Sequence, residues 1–151
     1  MPLCLLVVFL EPMDLIMDNI KKSKNIKTIL KTIIEWSKAS QAMEICGFVG
    51  FDQKQQKYIA QLEKNCSSEP KNFFAIDALN YLMFKNKYSI MSVFHSHTIG
   101  NENPSEFDIK MSENCCVPFL VYALNTNKFK IYEPKNKEYD VNILPILTKE
   151  L

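Results

Sequence analysis

The only two histidines of this chain, His95 and His97, stand two residues apart directly after the apolar run Ile90-Met91-Ser92-Val93-Phe94. Side chains along a strand return to the same face every second residue. A strand ending at His97 therefore aims both imidazoles at one point. Asp108 lies eleven residues beyond His97, and the loop 98–104 is long enough to turn back and bring it there. Two imidazoles and a carboxylate are a donor set that zinc accepts. A catalytic zinc keeps three protein ligands and leaves a fourth position open. A plainer account runs alongside. Ser105 is a good helix N-cap, and Asp108 is the acidic residue three later that a capping box needs. The His-x-His pair alone reads equally well as a polar strand end. The accounts are compatible, because a carboxylate in the first turn of a helix can still face an ion.

Far upstream, Glu44-Ile45-Cys46-Gly47-Phe48-Val49-Gly50 reads as an acid leading into a buried strand, with glycines where backbone comes close. By itself Glu44 is as well explained as a solvated charge at a strand start. Taken together, His-x-His, seven residues, Ser, two residues, Asp, with the upstream Glu, resembles the JAMM signature of the JAB/MPN-domain metallopeptidases. The stretch 44–50 resembles that family's Glu-x-Cys-Gly-x-x-Gly strand. The resemblance runs over roughly residues 26–132.

The resemblance implies one zinc ion, with His95, His97 and Asp108 as ligands. It implies Glu44 as the acid–base group and Ser105 as a hydrogen-bond donor to the oxyanion or the water. Zinc brings the pKa of bound water to about 7, and a carboxylate beside that water can take its proton and return it to the leaving amine. The implied fold is α/β: a single-domain curved mixed β-sheet flanked by helices, of the JAB/MPN, cytidine-deaminase-like type. One departure stands out. The family usually has proline directly after the second histidine, where it stiffens the loop, and this chain has Thr98. Ser96 points away from the metal side and is read as structural. Cys46 shares Glu44's face and is read as a packed thiol rather than a ligand.

The length of 151 residues suits one domain, divided as residues 1–22, an N-terminal extension or first strand, and residues 23–151, the JAB/MPN domain. Apolar residues make up 47% and charged residues 23%, which permits one core and argues against disorder. A net charge of +1 gives no electrostatic case for nucleic acid. The five cysteines are odd in number and irregular in spacing, so free thiols in a reducing cytoplasm are expected. The apolar start, residues 2–10, lacks a basic lead and is too short to span a bilayer, so no membrane partner is expected.

In chain order, residues 25–39 carry a helical stripe of Ile26, Ile29, Leu30, Ile33, Ile34 and Trp36, with lysines largely off it. Strands are expected at 45–51, 58–62, 73–76, 89–95, 119–124 and 129–132. A helix capped by Asp77 follows the third of these, and a short helix is expected over 106–114. Val141 to Leu147 is expected as a last edge strand that tolerates Pro145.

The expected reaction is hydrolysis of peptide or isopeptide bonds, with a protein or peptide substrate of the ubiquitin-like or sulfur-carrier kind. The chain has no room for the large insertions of eukaryotic-type deubiquitinases and resembles the stand-alone prokaryotic or viral members. Residues 65–76 resemble part of the phage tail-assembly proteins that carry this domain, so tail assembly is an alternative. A non-catalytic MPN scaffold is another, although such members usually lack the ligands. A zinc nucleotide deaminase would need Cys-x-x-Cys with His-x-Glu, and neither occurs.

Overall fold

Asn25 starts the first helix by accepting the Lys27 amide on its side chain at 3.0 Å. From there Ile26, Ile29, Leu30, Ile33 and Trp36 face inward as the stripe requires, while Lys27, Lys31 and Lys38 stay in solvent. The computed structural model describes residues 18–139 and 144–151. The apolar start at 2–10 lies outside the described residues.

The helices are α1 (Ile26–Ala39), α2 (Ala78–Lys87), α3 (Glu106–Cys115) and α4 (Leu144–Lys149). The strands are β1 (Ile20–Ser23), β2 (Cys46–Asp52), β3 (Lys57–Glu63), β4 (Ser89–His97), β5 (Phe119–Ala123) and β6 (Lys128–Tyr132). They form one mixed sheet in the order β1-β3-β2-β4-β5-β6. Among the described residues only β4 and β5 run parallel, joined through α3. The α/β class and the helix-flanked sheet are as the sequence predicts.

Two layers cover the sheet. On one face α1 packs against Val49, Ala60, Met91 and Phe94, with Trp36 stacked 6.1 Å from Phe94. On the other face Phe84 and Tyr88 pack with Phe48, Ile59, Ile90 and Val93. Along β4 the alternation is broken. Ile90 belongs to the α2 side and Met91 to the α1 side, yet Val93 is again on the α2 side. The cause is a register shift opposite Val49 and Gly50, where β2 partners pass from Ser92 to Ile90. Such a bulge re-aims every later side chain. It puts His95 on the α2 side, against Phe74 and Phe119.

Two expected strands are different. Residues 73–76 are irregular, because their main-chain groups bond to a neighbouring loop: the Ala75 amide to Asn65 Oδ1 at 3.1 Å and the Ala75 carbonyl to the Cys66 amide at 2.8 Å. The expected last strand is replaced, over its described part, by α4. Pro145 sits in that helix's first turn, where a missing amide proton costs nothing. Helix α2 also leaves Leu79, Leu82 and Met83 exposed, so Phe84 is its one buried residue.

Gly47 lies where β2 meets both neighbours. A methyl there would overlap the Gln61 carbonyl and come within 2.6 Å of the Phe94 ring. Gly47→Ala is expected to cost about 3 kcal/mol in urea denaturation. Gly100→Ala, open on all sides but at φ +82, should cost only about 1 kcal/mol. Equal costs would contradict this packing.

Candidate metal centre

The centre forms at the C-terminal end of β4, beside the one parallel neighbour. β4 brings His95 and His97 to the same side, two residues apart. Asp108 comes from the first turn of α3. His95 Nε2, His97 Nε2 and Asp108 Oδ2 then form a triangle with all three sides 3.1 Å. The sequence-predicted ligands are thus together. They are also the one group of three or more His, Cys, Asp or Glu side chains among the described residues able to hold a metal ion.

The loop between the ligands is pinned at several points. Thr98 Oγ1 donates to the Lys71 carbonyl at 3.0 Å. Glu102 accepts from Thr126 at 2.7 Å, and Asn103 accepts from Lys130 at 2.8 Å. The Leu124 amide bonds the His97 carbonyl at 3.1 Å. Thr98 thus ties the loop by a hydrogen bond at the position where the family usually has a proline.

The capping expectation also holds. Ser105 Oγ accepts the Asp108 amide at 3.1 Å, and Asp108 Oδ2 accepts the Ser105 amide at 2.9 Å. One carboxylate oxygen therefore closes the helix cap and faces both imidazoles. The cap uses a lone pair of the Ser105 hydroxyl and leaves its proton to donate.

His97 Nδ1 lies 2.8 Å from the Asn101 carbonyl. A carbonyl only accepts, so Nδ1 carries a proton; Nε2 donates to Asp108 when the ring is protonated, and the neutral ring has its Nε2 lone pair free to face an ion. This is the usual second contact of a metal-ligating histidine. His95 is fully buried and stacked on Phe74, with ring centroids 4.4 Å apart. Among the described residues its Nδ1 has no hydrogen-bond partner, so the ring is oriented by the Phe74 stack and by Asp108 at Nε2.

The donor set passes a simple geometric test. Two donors each about 2.1 Å from a tetrahedral ion are about 3.4 Å apart, close to the 3.1 Å observed. Imidazole nitrogen and carboxylate oxygen are also donors zinc prefers.

Charge is arranged around the triangle. Burial pulls Asp108 toward its neutral form, but the hydrogen bonds to His95 and His97 outweigh it and hold the carboxyl well below the usual range. Burial lowers the His95 pKa and keeps that ring neutral. Burial also opposes charge on His97, but Asp108 and the Asn101 carbonyl raise its pKa overall. Glu44 behaves oppositely to Asp108. Burial, at 6% exposure, pushes its pKa up to about 7, with His97 pulling it down and Asp108 pushing it up.

Glu44, His97 and Ser105 line one open cleft of about 160 Å³, together with Lys71, Asn72, Thr98 and Ile99. Glu44 reaches it because β2 pairs with β4, Cys46 opposite His95. Ser96 holds that approach from behind: its Oγ accepts the Ile45 amide at 2.9 Å, in keeping with a structural role. Cys46 is fully buried, and burial pushes its thiol far above the usual value, so it is a packed thiol and poorly suited to ligation. The sequence reading missed Asn65, Phe74 and Asn101. For Asn65 a signal existed, since Asn followed two residues on by Ser is an Asx-turn pattern.

The family model of prokaryotic homologues of the JAB domain matches residues 27–137. The chain belongs to that family. Among solved structures it is similar to protein DSY2949 from Desulfitobacterium hafniense, known from a solution structure. The two are 19% identical, with 76% of this chain and 92% of that chain covered and a TM-score of 0.48. No curated protein matches the chain. Among the described residues, no helix is long and apolar enough to cross a membrane.

The raised Glu44 pKa has a consequence for stability. The folded chain binds this proton more tightly than the unfolded chain. The contribution of Glu44 to stability is therefore greatest below about pH 4.5 and is lost as pH rises through about 7. In metal-free protein, Glu44→Gln should match wild type at pH 4.5 and exceed it by up to about 3 kcal/mol above pH 7. Denaturant melts at both pH values check this; a difference independent of pH would contradict it.

Proposed function

We propose that this protein is a zinc-dependent metallopeptidase that hydrolyses peptide or isopeptide bonds. The observation that carries the reading is the 3.1 Å triangle of His95, His97 and Asp108, whose His97 lines the same cleft as Glu44. Those three side chains would hold the ion. Zinc supplies Lewis acidity there, acidifying water and polarising an amide carbonyl.

The chain's own groups do the rest. Glu44, with its pKa raised to about 7, is suited to take a proton from water and to give one to a leaving amine. Asp108 stays ionised throughout. Ser105 has a hydroxyl proton to give to oxyanion charge as it develops. The open cleft, walled by Lys71–Asn72 and Thr98–Ile99, gives a main chain access to Glu44 and His97.

The substrate we favour is a ubiquitin-like or sulfur-carrier protein, attached through its terminus. A phage tail-assembly precursor is the alternative. The catalytic unit is residues 23–151 together with the part of β1 that precedes residue 23. The four described cysteines are all free, which fits a reducing compartment such as the cytoplasm. Presence of the full donor set disfavours the non-catalytic scaffold, which needs no metal.

Glu44→Gln should keep stoichiometric zinc and lose all but a small residual rate of hydrolysis, read by metal analysis and peptide cleavage on one sample. His97→Ala should fall below stoichiometric zinc. Full activity in the first, or full metal in the second, would end the assignment. Ser105→Ala should lower kcat by about 100-fold or more and cost about 1 kcal/mol for the lost cap. An unchanged kcat would restrict Ser105 to capping. Incubation of the zinc-loaded protein with ubiquitin-like fusions and tail precursors, followed by mass spectrometry, separates the two substrate readings.

A further inference from the structure

Glu44 stands two residues before β2 begins, so the sheet ladder does not fix it. An acid–base group misplaced by about 1 Å can lose about 100-fold in rate, so something else must hold it. Its amide donates to the Pro70 carbonyl at 2.8 Å, and its carbonyl accepts from Asn65 Nδ2 at 2.9 Å. The same Nδ2 donates to the Phe73 carbonyl at 2.9 Å, with the Pro70 carbonyl at 3.4 Å. On its other side, Asn65 Oδ1 accepts the Ser67 amide at 3.0 Å and the Ala75 amide at 3.1 Å.

One carboxamide thus uses both its protons and both its lone pairs. The acceptor half folds the loop 65–75. The donor half joins that loop to the main chain of Glu44. The loop in turn carries Lys71, whose carbonyl receives Thr98 from the metal-side loop. A continuous path of hydrogen bonds therefore links Glu44, Asn65, residues 70–73 and the segment after His97.

We propose that Asn65 is a positioning residue for Glu44. Its donor half holds the Glu44 main chain against the 70–73 wall of the cleft and so sets where the carboxyl stands relative to His95, His97 and Asp108. The inference rests on the reading of Glu44 as the acid–base group. The two functions of the carboxamide can be separated. Asn65→Asp keeps an acceptor for Ser67 and Ala75 and replaces the donor with an oxygen that repels the Glu44 and Phe73 carbonyls. Asn65→Ala loses both halves.

The test uses the full chain, with and without Glu44→Gln. In metal-free protein, amide hydrogen exchange at Glu44 should be about tenfold faster in both Asn65 variants. Exchange at Ala75 should stay slow in Asn65→Asp and quicken in Asn65→Ala, while Ser96 is unchanged in both. In zinc-loaded protein, Asn65→Asp should lower kcat by about 100-fold with KM and zinc content unchanged. It should lower the residual rate of Glu44→Gln no further, because the effect passes through Glu44. An unaltered Glu44 amide, or a full additional loss in the Glu44→Gln background, would overturn the proposal and leave Asn65 a loop residue only. If the wild type hydrolyses no amide, the peptidase reading fails, and the exchange measurement alone decides whether Asn65 places Glu44. Should Asn65→Ala fail to fold, Asn65→Asp carries both arms.

Discussion

A buried carboxylate needs partners, and the Asp108 carboxylate has three at one oxygen: two imidazole nitrogens and the Ser105 amide. Leaving an ionised group at 3% exposure without them would cost several kcal/mol. The rest of the site follows from meeting that demand. The bulge in β4 must turn the histidines toward the α2 side. The loop 98–105 must fold back, and the hairpin of β5 and β6 holds it through Thr126 and Lys130. Helix α3 must begin at Ser105 for its cap to present the right oxygen.

Two neighbouring carboxyls are driven in opposite directions. Asp108 is held ionised by its histidine partners, while burial lifts Glu44 to about 7. Such a split is the usual physical basis for assigning one group to steady charge and another to proton transfer. Here it comes from placement. Asp108 closes a helix turn against imidazoles. Glu44 sits ahead of a strand, where burial outweighs the pull of His97.

The parts of this arrangement legible in the sequence were those with short-range signatures. The two-residue spacing of His95 and His97, the cap at Ser105 and Asp108, and the stripe from Ile26 to Trp36 each obey a local period. The placing of Asp108 at both the helix cap and the histidines could be stated in advance because the two contacts demand the same position. What stayed hidden depended on distant partners. Phe73 to Ile76 has strand composition, yet Asn65 takes the hydrogen bonds a ladder would need. The tail has strand composition too, and its described part is a helix. Nothing local announces the bulge opposite Val49 and Gly50 either. The effect of Thr98 could not be read from the loop alone, because its partner Lys71 is 27 residues away.

The most direct test of the central claim is a zinc-edge anomalous diffraction map of the zinc-loaded protein. The account predicts one strong peak per chain, bound by His95 Nε2, His97 Nε2 and Asp108 Oδ2, with the Glu44 carboxyl facing its open side. A map with no peak at the triangle, or with the zinc held by other side chains, would contradict it.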